Sequence, residues 1–161
     1  VEVEFVGLEG WERRLEERLA PAVAGYEVVF LDCPPSLGHL TVLALVAADS
    51  VLVPLQCEYF ALEGLSELVA TVRRIADALN AGLGIDGILL TMYDDRMKLT
   101  RDVEAEVRAH FGDAVFRTVV PRNVRLAEAP SHGRPILQYD IKSRGAEAYL
   151  ALARELAGRE R

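Results

Sequence analysis

The sequence predicts a doubly wound α/β domain, with a mostly parallel sheet and helices on both of its faces. Short β-branched runs alternate along the chain with helical segments of about ten to twenty residues, the pattern of repeated strand–helix–strand units. Of the 161 residues, 51% are hydrophobic and 27% are charged, a composition that supplies a core of ordinary size. Strands joined through helices run parallel, and we expect residues 1–161 to form a single α/β domain.

The first half of the chain contains predicted strands with alternating or continuous apolar residues. These strands are residues 1–6, 26–31 and 51–55. Apolar side chains at helical spacing predict a helix that begins at Trp11 and ends between Pro21 and Gly25. A nearly all-apolar run predicts a second helix over residues 37–48.

The second half continues the alternation. Its predicted strands are residues 84–91 and 114–120, and its predicted helices are residues 61–79, 100–111 and 144–156. Thr100 is a candidate N-cap for its helix. On the last helix, Ala148, Leu152 and Leu156 share one face, which we expect to point inward.

Charge is distributed unevenly along the chain. Residues 1–90 carry 14 acidic and 5 basic side chains, whereas residues 91–161 carry 11 acidic and 13 basic ones. A sequence pI of about 5.0 argues against a protein that coats DNA over its whole surface. It allows a local cationic face, because phosphate binding depends on where the charges lie.

Cysteine content and hydropathy exclude two further classes. Cys33 and Cys57 are too few for a disulfide scaffold, and we expect both to be packing residues in a reducing compartment. No apolar run approaches the ~20 residues that a membrane-spanning helix needs.

The chain opens at Val1 without a methionine or a signal peptide, so we expect it to be a piece of a longer protein.

The predicted topology also indicates where a ligand binds. In open α/β sheets, ligands bind beyond the carboxyl ends of the strands. Polar and turn-forming residues follow four of the predicted strands, at 32–36, 56–59, 91–94 and 121–123. The sequence therefore places its candidate site at this end of the sheet.

An apolar strand that ends in Asp32 has the form of a Walker B element, whose carboxylate orients magnesium against nucleotide phosphates. Pro34 and Pro35 stiffen the loop that follows. The alternative is that Asp32 only caps the next helix. A phosphate loop of the form G-x-x-x-x-G-K-[ST] does not occur in these residues, since Lys98 and Lys142 both lie outside glycine-rich turns.

Five segments together resemble a known family. They are YEVVFLDCPPS at 26–36, EYFALEGL at 58–65, TMYDDR at 91–96, VPRNVRLAEAPSHGRP at 120–135 and SRGA at 143–146. In this order and spacing they resemble the ParA/Soj chromosome- and plasmid-partition ATPases, and the fourth segment is the most typical of the Soj branch. The family's first strand, its phosphate loop with a signature lysine and its switch I segment have no counterpart here. The resemblance therefore implies the C-terminal two-thirds of a ParA-type ATPase, with a P-loop NTPase-like fold that lacks its P-loop portion.

The resemblance implies roles for individual residues. Asp32 matches the catalytic Walker B or switch II aspartate, which acts on magnesium through a water. The residues that match the lining of the adenine pocket are Thr91, Met92, Tyr93, Pro121, Arg122 and Asn123. The candidates for a non-specific DNA surface are Arg96, Arg101, Arg117, Arg125, Lys142 and Arg144. Arginines of this region could instead pair with Glu128 and Asp140.

At the level of function, the resemblance implies an ATP-dependent DNA-partition protein. Its cofactors are ATP and magnesium, with weak or no binding by this chain alone. Its partners are non-specific DNA, a second copy in a nucleotide-gated homodimer and a ParB-like centromere-binding protein, in a cytoplasmic, nucleoid-associated location. No membrane partner is expected, because residues 155–161 lack the bulky apolar face of a membrane-binding helix. The alternative is a non-catalytic ParA-like remnant that acts as a binding or scaffold module.

Overall fold

A computed structural model describes residues 10–34 and 38–159. The strand predicted at residues 1–6, the proline at 35 and the first residue of the helix predicted at 37–48 lie outside these residues. Within them, no helix is both long enough and apolar enough to cross a membrane.

Three strands form one parallel sheet in the order β1–β2–β3. They are β1 (Ser50–Gln56), β2 (Gly84–Tyr93) and β3 (Val115–Pro121). Residues 87–90 of β2 are all buried, as expected for a central strand of a covered parallel sheet. The α/β class with a parallel sheet is thus confirmed.

The helices lie before, between and after the strands. A short 3-10 turn at Trp11–Arg13 leads into the first of them. They are α1 (Arg14–Val23), α2 (His39–Ala47), α3 (Ala61–Ala78), α4 (Lys98–Phe111), α5 (Val124–Glu128), α6 (Ile136–Tyr139) and α7 (Arg144–Ala157).

The chain divides into two compact units, and the first comprises residues 1–51 and 67–85. Its core contains Leu45, Val72 and Leu83. The side-chain amide of Asn80 donates to the carbonyls of Leu45, Val46 and Ala48 at 3.1, 3.1 and 2.8 Å. Because the last carbonyls of a helix lack partners within it, Asn80 acts as the C-terminal cap of α2.

The second unit comprises residues 52–66 and 86–161. Its core contains Leu89, Phe116, Val120 and Leu152. Ala148 and Leu156 pack against this cluster, so the inward face predicted for the last helix is confirmed.

Glu155 on α7 binds the edge strand of the sheet. Its carboxylate accepts from the backbone N–H groups of Arg117 and Thr118 at 2.7 and 2.9 Å. The register of β3 shifts along this stretch, because Ile88 pairs with Val115 but Leu90 pairs with Val119. A bulge of this kind leaves backbone N–H groups without partners in the ladder, and the Glu155 carboxylate supplies the missing acceptors.

The prediction of a buried strand at residues 26–31 is wrong. These residues form no strand among the described part of the chain, and Tyr26 and Phe30 are 73% and 70% exposed. A strand exists only where neighbouring strands accept its backbone hydrogen bonds. The composition of 26–31 suits a strand, but the three-stranded sheet does not include this segment.

Smaller corrections concern helix ends. Thr100 is not an N-cap: α4 begins two residues earlier, at Lys98, and Thr100 is buried. Pro21 lies inside α1, which ends at Val23 and so within the predicted interval between Pro21 and Gly25. Cys57 is buried as expected, whereas Cys33 is exposed, with its thiol 3.6 Å from the carbonyl of Leu31. His39 packs edge-on against Trp11, with ring centroids 5.1 Å apart.

Candidate functional site

The carboxyl ends of β2 and β3 lie side by side, as the sequence predicted. Tyr93 pairs with Pro121, and the backbone N–H of Arg122 donates to the carbonyl of Tyr93 at 3.0 Å. The two segments that resemble the adenine pocket, residues 91–93 and 121–123, are therefore brought together within the second unit.

Met92 has a left-handed backbone conformation in the middle of this arrangement. Its φ is 50°, and it is the only non-glycine residue with a positive φ among the described residues. Its side chain sits at the sheet end and the residue is 46% exposed. A non-glycine residue in this region is strained, and such strain is concentrated at binding sites and active sites.

Tyr93, next along the strand, is fixed through its side chain. Its hydroxyl donates to Glu104 of α4, and Arg108 donates to the same carboxylate at 2.8 Å. The hydrogen bond to Glu104, reinforced by burial, raises the pKa of Tyr93 to about 12. Burial, with a smaller effect of the Glu104 charge, raises the pKa of the Cys57 thiol to about 11. Both side chains are therefore neutral at physiological pH.

Asn123 begins the segment after β3. Its side-chain oxygen accepts from the N–H of Arg125 at 2.8 Å and so caps α5. This bond occupies the carbonyl oxygen, and the amide NH₂ remains as a donor. A nucleotide base presents acceptors that such a donor can bind.

Asp32 belongs to the first unit and lies in an irregular, exposed segment. Its side chain makes no hydrogen bond or ion pair with the described residues. No cluster of three or more metal-ligating side chains occurs among those residues. A single free carboxylate nevertheless suits magnesium, which keeps waters and phosphate oxygens as its other ligands.

The six candidate DNA-binding cations are exposed, but they differ in their partners. Arg96 binds Asp94 through two guanidinium nitrogens at 2.9 and 2.8 Å, and this lowers the pKa of Asp94 to about 2. Arg101 donates to the backbone carbonyl of Asp95. Three more of the cations form no ion pair through their side chains in the described structure. These are Arg117, Lys142 and Arg144; Arg125, the sixth, is described next.

Arg125 is the centre of a separate cluster. Its Nη1 lies 2.9 Å from Glu128, and its Nε lies 3.5 Å from Asp140. The alternative pairing noted from the sequence is thus observed for this arginine. The hydroxyl of Tyr139 also donates to Glu128 at 3.1 Å, and the ring of His132 stacks on Tyr139.

A cavity of about 500 Å³ lies at the opposite end of β3. It is lined by Arg108, Arg117, Glu155 and Arg159, among others, and by none of the candidate nucleotide residues. The candidate nucleotide site is thus an open sheet end rather than this cavity.

Sequence reasoning missed Glu104, which binds the Tyr93 hydroxyl, and Arg108, which donates to Glu104. The spacing of four residues between them on a helix is a recognisable ion-pair signal. It does not reveal that a tyrosine from the neighbouring strand joins the pair, because that contact depends on how α4 packs beside β2.

Comparison with known proteins identifies the family. A family model described as an AAA domain matches residues 1–85. The chain is 55% identical over 159 residues to the chromosome partitioning protein ParA of Myxococcus xanthus, covering 99% of this chain and 56% of that protein. It is 54% identical over 156 residues to the sporulation initiation inhibitor protein Soj of Bacillus subtilis, covering 97% of this chain and 62% of that protein.

A solved structure gives the same fold. The chain superimposes with a TM-score of 0.76 and 34% identity on a Mycobacterium smegmatis protein described as cobyrinic acid a,c-diamide synthase with bound ATP analog and magnesium, covering 98% of this chain and 59% of that one. The chain spans about three fifths of the length of the curated relatives it matches. We conclude that the chain belongs to the AAA domain family and, within it, to the ParA/Soj chromosome-partitioning proteins.

Proposed function

We propose that this chain forms the base-binding and DNA-binding part of an ATP-dependent chromosome-partitioning ATPase. The observation that carries the proposal is the contact between the carboxyl ends of β2 and β3, where Arg122 N–H meets the Tyr93 carbonyl. Strained and polar residues converge at that end, where ligands bind in this fold class.

The base of ATP would be held by residues 91–93 and 121–123. Met92 offers a partly exposed apolar side chain, and Asn123 offers its amide donor. The phosphates require a backbone cradle and a lysine that do not occur in these 161 residues. We therefore expect weak or no ATP binding by this chain alone and tighter binding by the full-length protein.

Magnesium would be held next to the phosphates by Asp32, acting through a bound water. When bound, the ion neutralises phosphate charge and orients the attacking water. Asp32 contributes a free, exposed carboxylate to this task. The Mycobacterium smegmatis protein, which binds an ATP analog and magnesium, supports these two cofactors for the fold.

The DNA surface would consist of the six cations described above, in a homodimer formed around nucleotide. The net charge of −7 means that affinity for DNA must come from this local surface. Such a surface reads backbone phosphate and not sequence. A ParB-like partner and a nucleoid-associated, cytoplasmic location belong to the same proposal, and the Myxococcus xanthus relative, named as a chromosome partitioning protein, supports its partitioning role.

The Asp32→Ala variant of the full-length protein tests the enzymatic part. Loss of a carboxylate that acts on magnesium is expected to lower ATP turnover about 100-fold, with thermal stability unchanged. Asp49→Ala is the matched control, because Asp49 is another exposed aspartate of the same unit and has no assigned role. Equal turnover by the Asp32→Ala and Asp49→Ala variants would show that Asp32 is not catalytic.

The second candidate function is a non-catalytic binding module. It is favoured by the lack of a phosphate cradle in these residues, and it predicts no ATP turnover in any variant, the unmutated full-length protein included. The same assay therefore separates the two functions.

A further inference from the structure

Arg125 differs from the other candidate DNA-binding cations of its segment. Lys142 and Arg144 are exposed, and their side chains form no ion pair in the described structure. Arg125 is also 54% exposed at its side chain, yet it faces two carboxylates, Glu128 at 2.9 Å and Asp140 at 3.5 Å. A DNA phosphate can bind this guanidinium closely only by displacing one or both of them.

The two carboxylates are held in place by further bonds. Glu128 accepts from the hydroxyl of Tyr139, and the Tyr139 ring is in turn stacked by His132 at a centroid distance of 4.9 Å. Asp140 accepts from the backbone N–H of Lys142 at 3.2 Å. An ordinary surface ion pair is weak partly because both side chains lose freedom when they pair. Here the acidic partners are already ordered, so they compete with phosphate more effectively.

The ionisation of Glu128 fits this arrangement. The hydrogen bond from Arg125, followed by that from Tyr139, lowers the pKa of Glu128, which therefore stays charged at neutral pH. The Glu128 carboxylate is thus charged, and can compete with DNA phosphate for Arg125, at the neutral pH at which DNA binding takes place.

We propose that Glu128 and Asp140 determine the DNA affinity of this surface by holding Arg125 in an ion-pair cluster that phosphate must displace. The inference rests on the proposed DNA binding. It makes the two carboxylates affinity-determining residues that act through Arg125 without touching DNA.

The cluster has a specific thermodynamic signature. A free cation that binds a DNA phosphate releases a counterion from the DNA, which steepens the salt dependence by about 0.9 in the log–log slope. When Arg125 leaves its carboxylates, they take up cations from solution, and this uptake offsets the release. Arg125 then adds little to the salt slope until the carboxylates are neutralised.

The test uses Glu128→Gln and Asp140→Asn, singly and together. Both amides keep the acceptor oxygens that bind Tyr139 and the Lys142 N–H, so the local fold is retained, and thermal melting checks this. Binding of the full-length protein, with ATP and magnesium, to a fluorescent DNA duplex of arbitrary sequence is measured from about 50 to about 200 mM salt. The double variant is expected to bind about fivefold more tightly at the lowest salt, with a slope steeper by about 0.9.

Glu147→Gln is the matched control. Glu147 lies in the first turn of α7, is exposed, and its carboxylate binds no described side chain. Glu147→Gln removes one negative charge, as each single variant does, without affecting Arg125, so its slope should stay near that of the unmutated protein. Adding Arg125→Gln to the double variant should abolish the gain, whereas Arg125→Gln alone should change the slope little.

Three results would overturn the inference while leaving DNA binding intact. The first is a gain with Glu147→Gln equal to that of Glu128→Gln, which removes the same number of charges. The second is a gain that persists without Arg125, and the third is weaker binding by the double variant, which would mean that the carboxylates position Arg125 for DNA. Absence of duplex binding by the unmutated protein would overturn both the inference and the proposed DNA surface.

Discussion

Met92 combines a φ of 50° with a place at the end of the central strand, directly before Tyr93. Neighbouring contacts hold the strain: the side chain of Tyr93 is bound to Glu104, and its carbonyl accepts from Arg122. Strain held in this way keeps the backbone of the candidate base site in one conformation before a ligand arrives.

Met92→Gly is expected to be more stable than Met92→Ala by about 1 kcal/mol, because glycine adopts a positive φ without the clash of a Cβ. Both variants remove the same side chain, so the comparison isolates the backbone. Chemical denaturation of the two variants gives the difference. A less stable glycine variant would show that Met92 is unstrained in solution, since glycine otherwise loses more backbone entropy on folding.

Single residues of the site could be predicted from sequence where the cue is local. Arg125, three residues before Glu128, is such a cue, and the ion pair is present. The left-handed conformation of Met92 and the bond from Tyr93 to Glu104 could not be predicted, because they depend on the packing of β2 against α4 and β3.

At the scale of elements, the end of α2 depends on one side chain from the loop after α3. The Asn80 amide donates to three backbone carbonyls at 2.8 to 3.1 Å. These carbonyls lie at the negative end of the helix dipole, where a donor is favourable and a negative charge is unfavourable.

Asn80→Asp is expected to lower the free energy of unfolding by about 3 kcal/mol at neutral pH, since a carboxylate would face carbonyl oxygens without a donor. Asn80→Ala, which loses the bonds without adding charge, should cost about 1 to 2 kcal/mol. Urea denaturation of both variants measures the order. An aspartate variant as stable as the alanine one would mean that the cap rearranges.

The long helices and the three strands of the sheet could be predicted, because each has a sustained apolar pattern. The short helices α5 and α6 were missed, since five and four residues are too few to show periodicity. Residues 26–31 show the converse error: their composition predicts a strand, but pairing is a property of neighbours and cannot be read from a segment alone.

At the scale of the whole molecule, stability should fall with acid below about pH 5. The pKa of Asp94 is lowered to about 2 by Arg96, and hydrogen bonds from Arg125 and Tyr139 lower that of Glu128. These carboxylates stay charged in the folded state at pH values where the unfolded chain takes up protons. Their contribution is therefore present above the unfolded pKa and is lost as the pH falls.

Stability should also fall on the alkaline side. The unfolded chain ionises Cys57 near its ordinary pKa of 9.0 and Tyr93 near 10.0, whereas the folded values are about 11 and about 12. Between each pair of values only the unfolded state gives up the proton, which favours unfolding. Thermal melts across pH should show this loss, and Tyr93→Phe should reduce the part above pH 10. If the Tyr93→Phe variant loses as much stability above pH 10 as the unmutated protein does, Tyr93 is not the cause of that loss.

The bond between Glu155 and the bulge of β3 has a consequence for how the sheet can grow. Two consecutive N–H groups on the edge strand, those of Arg117 and Thr118, are occupied by a carboxylate and cannot receive an incoming strand. Bulges in general increase the local twist of a strand, which opposes flat edge-to-edge pairing. Enlargement of this sheet, whether by more of the same polypeptide or by another molecule, is therefore directed to the β1 side.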